Sequence, residues 1–101
     1  AMKRARLVLA PKARADLFDI DAYLAERNPL AAERLLERLI QAMQTITRMP
    51  QIGRMCDDLG LPSVRRFVIE SHHIFYVVDK QTIKIVRVIH GRRDVPTVLR
   101  Q

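Results

Sequence analysis

The stretch Ile83-Lys84-Ile85-Val86-Arg87-Val88-Ile89-His90-Gly91-Arg92-Arg93-Asp94 decides how this chain folds. Its first half is a dense β-branched run, the composition that suits a pleated, buried strand. Ile83, Ile85 and Ile89 alternate with Val86 and Val88, so both faces are apolar and a central or helix-covered strand is expected. Its second half sets a histidine, a glycine, two arginines and an aspartate where the strand runs out. A rigid strand can build a site this way, by delivering titratable and cationic groups to its own exit. An ordinary strand leaving a core for solvent has the same pattern.

Upstream, Val64–Ile69 and Ile74–Val78 are two further strands. The connectors Ser71-His72 and Asp79-Lys80-Gln81 are short, so antiparallel hairpins follow. Pro50 to Pro62 reads as loop, punctuated by Gly53, Gly60 and the Asp57-Asp58 pair. Before it, Pro29–Arg48 carries an apolar stripe of Ala32, Leu35, Leu36, Leu39, Met43 and Ile46. Glu33 with Glu37 and Arg34 with Arg38 are like charges at i,i+4, so packing rather than surface ion pairs must hold this helix. From Pro11 to Arg27, Ala13, Leu17, Ile20 and Leu24 recur at helical spacing, and Asp16 is placed to favour the helix dipole. Asn28 can cap and Pro29 can open the second helix, and so short a turn makes an antiparallel hairpin. Residues 4–10 form a short strand, and Asp94–Gln101 is a tail of one helical turn or coil. The expected class is α+β: an N-terminal strand and an antiparallel helical hairpin packed on a small antiparallel sheet, with Met2–Gln101 as one domain.

Net charge is +7, from 18 basic and 11 acidic residues. From residue 81 onward, Lys84, Arg87, Arg92, Arg93 and Arg100 face Asp94 alone. That balance favours an acidic partner, whether nucleic acid, protein or anionic surface, or else marks a solvated basic surface. No apolar run approaches the roughly 18 residues that span a bilayer. Arg4, Arg6, Lys12 and Arg14 break up any secretory pattern, so a cytoplasmic location is expected. Cys56 is the only cysteine, which excludes an internal disulfide and a multi-cysteine zinc site.

Glycine-rich phosphate loops, nucleophile elbows and zinc-binding histidine pairs are missing, so neither metal nor cofactor is expected. His72 and His73 are adjacent and point to opposite faces of a strand. The constellation to weigh is Arg65, Arg66, Arg87, His90, Arg92 and Arg93. In a three-strand meander, Arg65 and Arg66 fall at the far end from His90, while Arg87 lies mid-strand and could face one of that pair, and Glu70 falls nearer His90. Metal-free RNA cleavage needs a base, an acid and cations for the transition-state phosphate. Arginines supply the cations, and His90 or Glu70 one proton carrier. The ordinary alternative pairs Arg87 with Asp94 or Glu70 and leaves His90 as a hydrogen-bonded strand end.

The order of motifs resembles the ParE/RelE superfamily of bacterial type II toxins. The resemblance is carried by Ala13-Arg14-Ala15-Asp16-Leu17 with Ile20 and Tyr23, Asn28-Pro29-Leu30-Ala31-Ala32, and Pro50-Gln51-Ile52-Gly53-Arg54. It continues through Val64-Arg65-Arg66-Phe67, Ile74-Phe75-Tyr76 and Ile85 to Asp94, covering nearly the whole chain. The turn and the strand exit look most like the ParE branch. That branch implies a non-enzymatic toxin that traps DNA gyrase on cleaved DNA, with Arg65, Arg66, Arg87, His90, Arg92 and Arg93 facing the target. RelE-like relatives instead cleave mRNA in the ribosome, which would make Arg65, Arg66, Arg87 and His90 catalytic. The tail after His90 holds no Tyr or His, which departs from the nuclease pattern. A toxin-fold protein that only binds its antitoxin is a third reading. The resemblance also implies a cognate antitoxin, with a homodimer or a toxin–antitoxin hetero-oligomer as the assembly.

Overall fold

The computed structural model describes residues 5–91. Five strands and two helices follow in the order β1 (Arg6–Leu9), α1 (Pro11–Arg27), α2 (Pro29–Arg48), β2 (Arg54–Cys56), β3 (Leu61–Ile69), β4 (His72–Asp79) and β5 (Thr82–His90). Both helices have the expected bounds. Asn28 ends α1 and starts α2: its side chain accepts the Ala31 N–H at 3.1 Å, with Pro29 in the first helical turn.

The sheet order is β1-β5-β4-β3-β2. β2 to β5 are antiparallel neighbours, but β1 pairs parallel to β5, from Arg6 opposite Thr82 to Leu9 opposite Ile85. The expected antiparallel sheet is therefore mixed. The α-hairpin causes this, because it carries the chain across one face of the sheet between β1 and the meander. The expected 50–62 loop also holds β2 and a 3₁₀ turn at Asp57–Leu59. β3 starts three residues early, and its pairing with β2 jumps from Met55–Arg65 to Cys56–Leu61. Pro62, which has no N–H to give a ladder, sits inside that irregularity.

The core lies between the hairpin and one sheet face. Leu35, Leu39, Ala42, Met43 and Ile46 of α2 meet Ile74, Tyr76, Ile83, Ile85 and Val88. α1 fully buries only Ala13, while Leu17, Ile20 and Leu24 pack at the margin. On the opposite face Cys56, Phe75 and Ile89 form a smaller cluster, and burial pushes the Cys56 thiol pKa up.

Tyr76 is fully buried, yet its hydroxyl is satisfied: it accepts the Gly53 N–H and donates to Pro50 O, each at 2.8 Å. A Cβ on Gly53 would stand 2.6 Å from that hydroxyl, so no other residue fits there unshifted. Gly53→Ala is therefore expected to lower stability by about 1–3 kcal/mol through overpacking. In urea titrations the Tyr76→Phe background, which lacks the hydroxyl, should reduce that loss. An equal loss in both backgrounds would place the clash on the ring edge and Arg66 O and not on the hydroxyl.

Candidate functional site

The best-defined polar constellation joins α1 to β5. Along β5 the parallel partner is first β1: Arg6 N–H donates to Gln81 O (2.6 Å) and Ala10 N–H to Ile85 O (2.9 Å). The chain then turns into α1, and the next β5 amide on that side, Val88 N–H, donates to Asp16 Oδ2 at 2.9 Å. Arg87 grips the same carboxylate as a fork, Nε to Oδ2 at 2.7 Å and Nη2 to Oδ1 at 2.9 Å. The side chains of Arg87 and Asp16 are only 14% and 11% exposed. The bonds from Asp16 raise the Arg87 pKa further above its already high ordinary value.

A β-bulge makes this meeting possible. Phe75 pairs with Arg87 but Tyr76 with Ile85, so Val86 is an extra residue on β5. Unbroken alternation from Ile85 would send Val88 outward and Ile89 inward. The bulge reverses both: Val88 joins the core under the helices and Ile89 the cluster on the other face.

The remaining candidates have separate surroundings. Arg65 Nη1 donates to Gly53 O (2.7 Å) and Gln51 O (3.3 Å), clamping the turn after α2. Arg66 lies on the face away from the helices, 3.7 Å from Asp58 Oδ2, with its side chain 21% exposed. It shares a cross-strand row with Phe75 and Arg87, so Arg87 faces one of the Arg65–Arg66 pair as its mid-strand place allows. The early start of β3 sets Arg66 nearer mid-sheet than the strand end expected for it. His90 sits opposite His72, the rings nearly perpendicular with centroids 5.0 Å apart. Arg92 and Arg93 lie outside the described residues. Arg66 and Arg87 thus share a row on one sheet face while bonding different carboxylates. Arg65 braces the turn after α2, and His90 stands at the strand end beside His72.

His72 and His90 close one end of a groove of about 560 Å³ between α1 and the strand ends, floored by Ile20, Leu24, Leu35 and Val88. Burial, and then the His90 charge, hold the His72 pKa below its ordinary value; burial and Arg66 do the same for His73. At Gly91 a Cβ would meet His73 Nε2 at 2.8 Å, so a larger residue there would push the imidazole aside. Among the described residues no cluster of His, Cys, Asp and Glu is arranged to hold a metal ion.

Asp16 and Tyr76 escaped the sequence reading as functional residues. Asp16 lies beyond the first turn of α1, so its role is the Arg87 bond rather than the helix dipole. Arg87 bonds Asp16, and Glu70, one of its two expected partners, bonds Arg38 of α2 instead; the other, Asp94, lies outside the described residues. One signal for Asp16 was present: it shares the apolar stripe of Ala13, Leu17 and Ile20, where a carboxylate needs a buried cation.

The family model for the ParE toxin of type II toxin–antitoxin systems, parDE, matches residues 7–95. This chain belongs to the ParE toxin family. Toxin ParE1 of Mycobacterium tuberculosis is 38% identical over 92 residues, covering 89% of this chain and 93% of that protein. Toxin RelE2 of Caulobacter vibrioides is 33% identical over 91 residues, covering 88% and 98%. The fold matches the chromosomal ParDE system of P. aeruginosa with a TM-score of 0.74 at 20% identity, over 86% of this chain and 96% of that one. It also matches the RelBE2 toxin–antitoxin complex of M. tuberculosis with a TM-score of 0.59 at 19% identity, over 87% and 99%. This is a toxin of the ParE/RelE type, and no described helix is long and apolar enough to cross a membrane.

Two outcomes follow for this ParE-family toxin. Asp16→Asn leaves the Arg87 guanidinium mostly buried without its counter-charge and should cost about 3–5 kcal/mol in denaturant titration. A loss below about 1 kcal/mol, the scale of a surface pair, would show the bond to be dispensable. The second concerns pH. The unfolded chain protonates histidine near 6.5, whereas native His72 and His73 resist it, so the unfolded state binds more protons. Stability should hold above that pH and fall as the pH drops through 6 toward the depressed native values. The double variant His72→Gln/His73→Gln should flatten the slope between pH 7.5 and 5; an unchanged slope would place the protons elsewhere.

Proposed function

We propose that this ParE-family toxin acts by binding DNA gyrase and trapping it on cleaved DNA, and that a cognate antitoxin neutralises it. The observation that carries this reading is the ParE family match over residues 7–95. The bonds of Arg65 to the turn carbonyls and of Arg87 to Asp16 support it, since a nuclease needs its cations turned to the transition-state phosphate. An antitoxin partner is supported by the toxin–antitoxin complex among the fold neighbours and by the net charge of +7, which suits an acidic protein.

A second reading has its own observation: Toxin RelE2 is 33% identical over almost its full length. Under it, this chain would be a ribosome-dependent mRNA endonuclease.

Purified gyrase separates the two. With the toxin present, supercoiling should fall and cleaved DNA should accumulate, and adding the antitoxin should reverse both. Unchanged supercoiling with no trapped cleavage would remove the gyrase reading, and codon-positioned cuts in translated mRNA would establish the alternative.

A further inference from the structure

We infer that the turn after α2 is a preformed docking surface for an antitoxin segment that carries a large apolar side chain flanked by carboxylates. The inference rests on the antitoxin part of the proposed function and adds where and by what chemistry the two proteins meet.

The turn is braced far more than a solvent loop needs. Met49 N–H donates to Thr45 O at 2.9 Å, and Ile52 N–H to Met49 O at 3.0 Å. Tyr76 ties Pro50 and Gly53 from beneath, and Arg65 clamps Gln51 and Gly53 from the side. What this framework holds out is apolar. Met49 is 52% exposed and Ile52 38%, and both line a hollow of about 590 Å³ together with Val78, itself 36% exposed. The β2–β3 register sets Met55, 40% exposed, on the same face beside Arg65. Bracing of this density holds the apolar side chains at the surface, where exposed apolar patches mark sites that a partner covers. Rigid presentation also lowers the ordering cost of binding.

Charge and composition select the partner. Among the described residues Arg65 and Lys80 line the hollow and no carboxylate does, and Arg48 is exposed in the last turn of α2. Its described lining includes no aromatic ring on which a base would stack, which argues against nucleic acid. Methionine and arginine are the residues that protein interfaces favour. An acidic segment with an apolar anchor satisfies both halves: the anchor enters between Met49, Ile52 and Val78, and its flanking carboxylates meet Arg65 and Lys80.

The test uses the full chain and the antitoxin encoded beside it. Ile52→Asp and Lys80→Glu should each weaken binding about tenfold or more, and Lys80→Glu should also reduce the salt dependence. Thermal melts of the free variants should match the parent. Hydrogen exchange on the unmodified chain gives a reading independent of any variant: amides of residues 49–55 and 77–81 should gain protection when the antitoxin binds. Parent-like affinity in both variants without such protection would overturn the inference while leaving the antitoxin reading intact. Protection of the turn by DNA or by self-association, and not by the antitoxin, would also overturn it. If the unmodified chain fails to bind the antitoxin at all, the antitoxin reading and this inference fall together.

Discussion

Asp16 and Arg87 stand 71 positions apart, and their bond fixes how the helical hairpin sits on the sheet. α1 is weakly amphipathic, with Ala13 its one fully buried residue, so apolar contact alone leaves it free to slide or roll. Three hydrogen bonds to one carboxylate remove that freedom. The Val88 amide sets the height of α1 along β5, and the Arg87 fork sets its rotation. A buried pair of this kind adds little net stability over apolar residues of equal volume, because both charges leave water. What it adds is a single geometry, the condition for any surface built across α1 and the strand ends to keep its shape.

The bond depends in turn on the extra residue in β5. Without Val86 out of register, the Val88 amide would not face α1, and Val88 and Ile89 would exchange faces. Two cores are therefore set by one bulge: Val88 beneath the helices and Ile89 against Phe75 and Cys56. At the other end of the sheet, Tyr76 and Arg65 do similar work on the turn after α2. Each end of the molecule is thus pinned by polar groups that are buried and satisfied, while the apolar stripe of α2 supplies most of the buried area between them.

Local features were legible in the sequence, and long-range ones were not. Pro11, Asn28-Pro29 and the stripe from Ala32 to Ile46 mark both helices because caps and periodicity are written within a few residues. Strand bounds were less sharp. β3 begins at Leu61 rather than Val64, and β2 was hidden in the loop because three residues carry no period. The parallel seat of β1, the bulge at Val86 and the choice of Asp16 as partner of Arg87 all depend on pairings between distant segments. Composition cannot register those. The candidate site suffered most for this reason. Arg65, Arg66, Arg87 and His90 could be picked out as chemically able, but what each one touches was settled by residues far away in the chain.

Knowing those contacts changes where the positive charge is available. Arg87 is bonded to Asp16 and Arg66 stands in a loose pair with Asp58, while Arg65 braces the turn through one guanidinium nitrogen and still lines the hollow beside Lys80. The arginines that first looked like one anion site thus largely serve the fold, with Arg65 serving both the fold and the hollow. The surplus that attracts an acidic partner lies instead on exposed residues spread over several elements, among them Arg14, Arg34, Arg48, Arg54, Lys80 and Lys84. Spread charge steers a partner from a distance but does not fix its orientation. Orientation needs a rigid shape at close range, and the described residues include the groove ending in His72 and His90 and the braced turn from Met49 to Gly53. The first has Asp19 on its wall together with Asp16, whose charge Arg87 already balances, whereas the second presents Arg65 and Lys80. The groove is floored by Ile20, Leu24, Leu35 and Val88, so it favours an apolar contact, while the turn adds attraction for carboxylates to its exposed Met49 and Ile52.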